Sequence, residues 1–216
     1  METHNVELLQ KKELTSDVVE LVLSRPQNFS FKAGQFISLH IQIGEKSRWR
    51  SYSIFSSPDE EHLRLCIKVV PEGFASSHFE VVEEGYTYKM RGPLGNFTVD
   101  HDTNNHVFIS TGTGIAPLNS MVQTLSEKDN ATFLHGVRTK KDLITPDTYK
   151  DSDIEYIPVL SRENWKGKTG YVQEHIPIQE KTTYYICGLR DLVLETDALL
   201  QKQGIPSKHI KYERYS

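Results

Sequence analysis

The sequence has few cysteines and no pattern of metal ligands. Its two cysteines, Cys66 and Cys187, lie far apart and form no Cys-x-x-Cys pair. Two thiolates are too few for the usual four-cysteine ligation of an iron–sulfur cluster, and the nine histidines lack metal-site spacing. We therefore expect no metal site, and free thiols rather than a disulfide, as is usual in a cytosolic protein.

The sequence also lacks a long apolar run and an excess of basic residues. No segment approaches the roughly 20 apolar residues of a membrane-spanning helix, and the first residues show no signal-peptide pattern. The net charge is −4 over 216 residues, whereas nucleic-acid-binding domains usually carry a basic excess. We therefore expect a cytoplasmic protein with no nucleic-acid or membrane partner.

The first hundred residues predict a β-rich unit. Short apolar or alternating runs recur between breaks that contain glycine and proline, which is typical of strands. Six such strands at this spacing predict a closed or nearly closed antiparallel barrel. They are expected at 6–11, 18–23, 36–41, 50–55, 63–69 and 86–91. One helix is expected near 76–82, with Ser76 as its N-cap.

After residue 105 the pattern changes to strands that alternate with helices. Such alternation predicts a parallel, doubly wound α/β sheet. The strands are expected at 107–110, 131–137, 154–160, 183–187 and 210–212, and the helices at 117–125 and 191–203. The polar stretch 101–105 marks the domain boundary, which gives an N-terminal domain 1–101 and a C-terminal domain 102–216.

Two features of the sequence suggest phosphate binding, although each has a plainer explanation. Residues 111–117, Thr-Gly-Thr-Gly-Ile-Ala-Pro, join a strand to a helix, and the free amides of such a turn can hold a phosphate. The same glycine-rich turn is common in α/β sheets without a ligand, and it departs from the Gly-x-Gly-x-x-Gly fingerprint. Gly73-Phe74-Ala75-Ser76 begins the helix of the first domain, and simple capping would also explain it.

A third feature is the strand segment Arg50-Ser51-Tyr52-Ser53. Because a strand alternates its faces, Tyr52 is expected opposite Ser51 and Ser53. Arginine can pair with a phosphate, tyrosine offers a flat ring face, and serine offers a small hydroxyl. Taken alone, the segment is better explained as an ordinary half-buried strand.

Five motifs in one order resemble the ferredoxin–NADP reductase family from about Phe31 to Tyr215. They are the flavin motif Arg-x-Tyr-Ser at 50–53, the flavin-phosphate turn at 73–76, the Gly-Pro-x-Gly-x-Phe segment at 92–97, the nicotinamide-nucleotide loop at 111–117 and the Cys-Gly strand end at 187–189. The resemblance implies a FAD-binding barrel followed by an NADP-binding α/β domain.

Three further segments resemble the plastid-type branch of that family. Ser161-Arg162-Glu163 is similar to a motif that holds the 2′-phosphate of NADP, and Tyr171-Val172-Gln173 to one whose tyrosine covers the adenine. Glu213-Arg214-Tyr215 resembles the C-terminal Glu-x-Tyr, whose ring covers the flavin. Ser216 departs from this pattern, because it adds one residue beyond the tyrosine.

The resemblance assigns roles around the flavin. Arg50 would neutralise the pyrophosphate, and Tyr52 and Tyr215 would pack on the two faces of the flavin ring. Ser53 would bond near the nitrogen that receives the hydride, and Glu213 would tune the proton supply or the potential. Cys187 would line the nicotinamide pocket. We do not expect Cys187 to act as a nucleophile, because no histidine or cation is placed beside it by motif.

The expected catalytic residues are Ser53, Cys187, Glu213 and Tyr215. The expected cofactor-binding residues for FAD and NADP(H) are Arg50, Ser51, Tyr52, Ser53, Lys68, Val69, Gly73, Ala75, Ser76, Thr111, Gly112, Thr113, Gly114, Ser161, Arg162, Tyr171, Gln173, Cys187, Gly188 and Tyr215.

The resemblance favours a monomeric reductase that passes electrons from NADPH through FAD to ferredoxin or flavodoxin. Two alternatives remain open. One is a flavin reductase or an oxygenase reductase component. The other, from a different class, is a nucleotide-binding regulatory module without turnover.

Overall fold

The computed structural model describes residues 2–144, 149 and 154–215. The elements of the first half are β1 Thr3–Thr15, β2 Val18–Leu23, β3 Phe36–Ile43, β4 Lys46–Ser53, β5 Leu63–Lys68, α1 Phe74–Val81 and β6 Thr87–Leu94. Those of the second half are β7 Asn105–Thr111, α2 Ile115–Val122, β8 Asn130–Val137, β9 Glu155–Leu160, β10 Lys168–Thr169, β11 Thr182–Leu189, α3 Arg190–Lys202 and β12 Ile210–Tyr215. Within the described ranges, no helix is long and apolar enough to cross a membrane.

The first half forms a six-stranded antiparallel sheet in the order β4-β3-β6-β1-β2-β5. A bridge between Ile54 and Leu65 brings its two edges together, so the predicted nearly closed barrel is confirmed. Strand β1 is longer than predicted because it pairs with two partners, β6 through residues 3–7 and β2 through residues 8–15. The polar stretch 46–49 also belongs to β4, since it pairs with β3 in register.

The second half forms a parallel six-stranded sheet in the order β10-β9-β8-β7-β11-β12. Successive residues of β7 point to opposite faces, so that Phe108 packs with α2 in one apolar cluster and Ile109 packs with α3 in another. Helices therefore cover both faces, and the predicted doubly wound sheet is confirmed. Strand β10 was not expected, because two residues are too few to show a periodicity.

Two local predictions about helix starts are wrong. Helix α2 begins at Ile115, because a 3₁₀ turn over Gly112–Gly114 runs directly into it. Ser76 does not cap α1: the N-cap is Gly73, with no side-chain cap bond. Ser76 lies inside the helix, and its Oγ accepts the amide hydrogen of Val70 at 2.8 Å. Ser76 thus fixes the turn that precedes the helix.

The two sheets meet along α2. Asn119 Nδ2 donates to the carbonyl oxygen of Phe55 at 2.8 Å, and Ser120 Oγ donates to that of Ser56 at 2.7 Å. Phe55 and Phe97, from the first half, belong to the same apolar cluster as α2. The chain thus joins its halves through buried contacts between residues 55–56 and α2. The predicted domain limits at 101 and 102 stay a prediction.

Candidate active site

The four residues expected to be catalytic come together where the first sheet meets the second. Ser53, at the end of β4, donates from Oγ to Glu213 Oε1 at 2.9 Å. The Tyr215 hydroxyl donates to the same Ser53 Oγ at 2.8 Å. Cys187 on β11 is paired in register with Glu213 on β12 and is fully buried. A hydrogen-bonded chain thus runs from Tyr215 through Ser53 to Glu213.

Burial sets the protonation of these groups. It raises the pKa of Glu213, while the hydrogen bond from Ser53 opposes that rise. It also raises the pKa of Cys187, and the neighbouring Glu213 charge acts in the same direction. A protonated thiol is a poor nucleophile, so the electrostatics agree with a packing role for Cys187. Cys66 is likewise a buried free thiol.

The glycine-rich loop follows β7, and its backbone suits close approach of a ligand. Gly112 has φ +51°, and a Cβ added there would meet no atom within 4 Å, so open space lies in front of this backbone. A Cβ on Gly114 would clash with the carbonyl oxygen of Cys187. Glycine at 114 therefore lets the loop pack against the end of β11, while glycine at 112 allows the left-handed turn.

A cleft of about 400 Å³ opens beside this loop. The expected cofactor-binding residues that line it are Lys68, Thr111, Gly112, Thr113, Ser161, Tyr171, Gly188 and Tyr215. The cleft also contains residues that the sequence did not single out, among them Asp17, Arg138 and Asp142. Lys68 Nζ lies 2.8 Å from Asp17 Oδ2, and the positive charge of Arg138 helps to lower the pKa of Asp17. Both sheets therefore contribute charge to one cleft.

Arg138 could have been found from the sequence. It directly follows β8, and ligands of parallel sheets bind beyond the carboxyl ends of the strands. The basic residue that follows the predicted strand 131–137 was therefore a candidate by position. Asp17 gave no such signal, because it lies in a short turn between β1 and β2.

On the barrel side, Arg50 lies near the start of α1 and Tyr52 packs against its second half. The Arg50 guanidinium lies 6.0 Å from the centroid of the Phe74 ring, and that of Arg48 lies 4.9 Å from it. The Tyr52 ring meets Phe79 edge to face, with centroids 5.5 Å apart. Gly73, Ala75 and Ser76 belong to the same turn and helix. These contacts bring the flavin motif and the flavin-phosphate turn together.

Other residues that we expected to bind a cofactor lie outside the cleft and the contacts around α1. Arg162 is exposed and donates its backbone N–H to the carbonyl oxygen of Arg138, next to the cleft. Gln173 donates from Nε2 to Glu195 at 2.8 Å. Ser51 is exposed, and Val69 packs against the barrel core. Ser216 lies outside the described residues.

The arrangement fits a nucleotide and a flavin. Open space faces the Gly112 backbone, as a phosphate would require. Within the described part of the chain, Arg50 has no ion-pair partner, so its charge is available to a phosphate. Tyr52 offers an aromatic ring next to Ser53. Both cofactors therefore have chemically suitable residues.

Comparisons with known protein families match both halves of the chain. A family described as an oxidoreductase FAD-binding domain matches residues 5–99. A family described as an oxidoreductase NAD-binding domain matches residues 108–197. The two matches follow the order of the two sheets.

Two curated relatives differ in how much of their length the chain covers. Ferredoxin–NADP reductase B of Sorangium cellulosum is 32% identical, and the alignment covers 99% of this chain and 98% of that protein. The anthranilate 1,2-dioxygenase electron transfer component of Acinetobacter baylyi is 29% identical over 88% of this chain, but only 59% of that protein is covered. The chain therefore spans the whole of one relative and little more than half of the other.

Solved structures share the fold. A ferredoxin NADP+ reductase from Neisseria gonorrhoeae, with bound FAD and NADP, has a TM-score of 0.85 at 24% identity, with 99% of both chains covered. A cytochrome P450 reductase from Amycolatopsis has a TM-score of 0.89 at 23% identity, covering 98% of this chain and 70% of that one.

Proposed function

The chain belongs to the ferredoxin–NADP reductase-like family of FAD- and NAD(P)-dependent oxidoreductases, and from this we propose that it moves electrons from NADPH through FAD to a ferredoxin or a flavodoxin. The observation that carries the proposal is the convergence of Ser53, Cys187, Glu213 and Tyr215. These residues come from β4, β11 and β12 and meet where the first sheet joins the second.

The protein contributes binding, orientation and proton control. When bound, FAD supplies the hydride and electron-transfer chemistry. Arg50 would neutralise the phosphates of FAD, Tyr52 and Tyr215 would position its ring, and the amides near Ala75 would complete the phosphate site.

The serine–glutamate pair can shift a proton at a defined atom. With Glu213 ionised, the Ser53 hydroxyl donates to its carboxylate. With Glu213 protonated, the Glu213 O–H would donate to Ser53 Oγ instead, which would free the Ser53 hydrogen for a bound acceptor. Because burial raises the pKa of Glu213, this second arrangement is easier to reach than for an exposed glutamate.

We assign the nucleotide to the 400 Å³ cleft. The loop Gly112–Gly114 would bind the pyrophosphate, and Tyr171, whose side chain is exposed at the cleft edge, would cover the adenine. Ser161 and Arg162 would hold the 2′-phosphate, with Arg138 as a further cation beside them. This assignment favours NADPH over NADH.

An exposed basic surface supports an acidic electron acceptor. Strand β4 carries the exposed Lys46 and Arg48, and the Arg91 guanidinium lies 4.0 Å from the centroid of the Trp49 ring. Counting only described residues, none of these three cations is in an ion pair. The net charge of the chain is −4, so this surface is a local departure that would attract an acidic partner. We expect the chain to act as a monomer.

A second candidate is the reductase component of an oxygenase. Its support is the similarity to the anthranilate 1,2-dioxygenase electron transfer component. A reductase of free flavin would use the same two cofactor sites. A regulatory module without turnover is disfavoured, because the Tyr215–Ser53–Glu213 chain is intact.

The test begins with the colour of the purified protein. We expect a yellow protein that NADPH bleaches and that, in stopped-flow mixing, then reduces ferredoxin or flavodoxin faster than free flavin. A colourless protein that binds nucleotides would support the regulatory module. Fast reduction of free flavin alone would replace the electron-transfer proposal with a flavin reductase.

A further inference from the structure

His135 is a buried titratable residue to which the proposed mechanism gives no role. It lies on β8 with no exposed surface, and it is paired in register with Ser110, next to the glycine-rich loop. Its Nε2 lies 3.1 Å from the carbonyl oxygen of Gly112, and its Nδ1 lies 2.8 Å from the Tyr156 hydroxyl. Both ring nitrogens are therefore engaged, one of them with the backbone of the loop itself.

The two contacts fix the tautomer of the ring. A carbonyl oxygen can only accept, so Nε2 carries the hydrogen and donates to Gly112. Burial lowers the pKa of His135 to about 4, so the ring holds a single hydrogen at neutral pH and Nδ1 accepts from Tyr156. The Tyr156 hydroxyl also lies 3.3 Å from the carbonyl oxygen of Ile144, the longer of these two contacts. Tyr156 thus orients the histidine, and the histidine holds the loop.

The bond to Gly112 constrains the peptide unit between Gly112 and Thr113. In a trans peptide the C=O and the N–H point in opposite directions. Because the Gly112 carbonyl points toward the buried His135, the Thr113 N–H points away from it, and Thr113 lines the cleft. The Gly112 carbonyl also accepts from Ile115 within the 3₁₀ turn, so the histidine adds a second restraint from outside the loop.

We propose that His135 is a positioning residue that holds the Gly112–Thr113 peptide with its N–H toward the cleft, ready for a phosphate of the nicotinamide nucleotide. The proposal rests on the nucleotide site proposed above, and it adds the element that orients that site. Gly112 makes such a restraint necessary. Glycine lacks a Cβ, so its peptide could rotate more freely than that of any other residue.

The test compares two replacements of nearly the same size. His135→Gln keeps an amide hydrogen near the position of Nε2, whereas His135→Leu removes it. We expect His135→Leu to raise the Kd of NADPH roughly tenfold with kcat nearly unchanged, because one charge-assisted contact is misplaced in the ground state. His135→Gln should recover most of the affinity. His106→Gln replaces another buried histidine, one that contacts Asp129 instead of the loop, and it should leave the Kd unchanged.

A second readout needs no nucleotide. The backbone amide resonance of Thr113 should shift in His135→Leu and to a lesser extent in Tyr156→Phe, and it should stay in place in His106→Gln. If His135→Leu does not fold, Tyr156→Phe supplies the milder change. An unchanged Thr113 resonance and Kd in a folded variant would overturn the proposal, as would equal losses in His135→Gln and His135→Leu. Failure of the wild-type protein to bind NADPH would instead refute the proposed function, while the resonance would still report on the loop.

Discussion

Among single residues of the site, Glu213 is a carboxyl group whose ionisation is changed by its surroundings. Its carboxylate accepts from Ser53 at 2.9 Å, yet burial raises its pKa above the ordinary value of 4.5. A raised pKa in the folded state means that the protonated form stabilises the fold. That stabilisation is complete below pH 4.5 and is lost as the pH rises through the higher folded-state value.

We therefore predict that Glu213→Gln changes the pH dependence of stability. The variant, which stays neutral, should gain stability relative to the wild type as the pH rises from 4 toward 7, starting near the ordinary value of 4.5. Urea unfolding of both proteins across this range measures the difference. Glu127→Gln, at an exposed position, controls for the loss of one negative charge. A difference that does not vary with pH would contradict the prediction.

The choice between NADPH and NADH is also argued from single residues. Arg162→Ala should weaken NADPH much more than NADH, because only NADPH carries the 2′-phosphate. A charge-assisted contact is worth about 1.5–3 kcal/mol, or roughly one to two decades in affinity. Arg138→Ala should act in the same direction if both cations face the phosphate. The KM values of both nucleotides measure the effect, with exposed Lys166→Ala as the control. Equal losses for NADPH and NADH would remove Arg162 from the phosphate site.

For secondary-structure elements, the sequence predicted those whose pattern is set by burial. Strand β2 has the predicted bounds because all six of its residues are buried and all but Glu20 are apolar. The ends of β1 and β4 were missed, since their polar residues are held by pairing with neighbouring strands. Ser76 was misassigned because a serine at a helix start looks the same whether it caps the helix or bonds backward to the preceding turn.

The candidate site was likewise only partly predictable from the sequence. Ser53, Cys187, Glu213 and Tyr215 were predicted because ordered motifs carry them through both domains. His135 was not, because an inward-facing residue within a buried strand is indistinguishable in sequence from a core residue. Its role depends on a contact with a loop 23 residues away in the chain, which no local pattern records.

For these elements, the testable prediction concerns Tyr215 at the end of β12. Tyr215 is paired in register with Leu189 and lines the proposed nucleotide cleft. If its ring covers the flavin, truncation after Arg214 should tighten NADP+ binding and shift the flavin absorption spectrum. Tyr215→Phe is the matched control, because it keeps the ring and removes only the hydroxyl, which bonds to Ser53 and to Cys187. Titration with NADP+ followed by absorption measures both effects. Unchanged affinity and spectrum after truncation would exclude Tyr215 from the site.

For the whole molecule, the site depends on how the two sheets are held together. The barrel has its own apolar core, and the parallel sheet has a core on each face. One of these cores also takes in Val18, Phe55, Cys66 and Phe97 from the first half. The Ser53–Glu213 bond crosses the same junction. The distance between the proposed flavin site and the proposed nucleotide cleft is therefore set by interior packing.

The buried bond from Asn119 to Phe55 is the sharpest test of that junction. Asn119→Ala would leave the Phe55 carbonyl without this partner. Loss of one partner of a buried hydrogen bond typically costs about 1–3 kcal/mol, and urea unfolding should show a decrease of that size. Because the junction also fixes the active site, flavin reduction by NADPH should slow while the Kd of NADPH changes little, as pre-steady-state mixing can measure. Thr124→Val, which removes a hydrogen bond within the second half only, is the control and should leave the reduction rate unchanged. If Asn119→Ala is destabilised but reduces its flavin at the normal rate, the alignment of the two proposed cofactor sites does not depend on this contact.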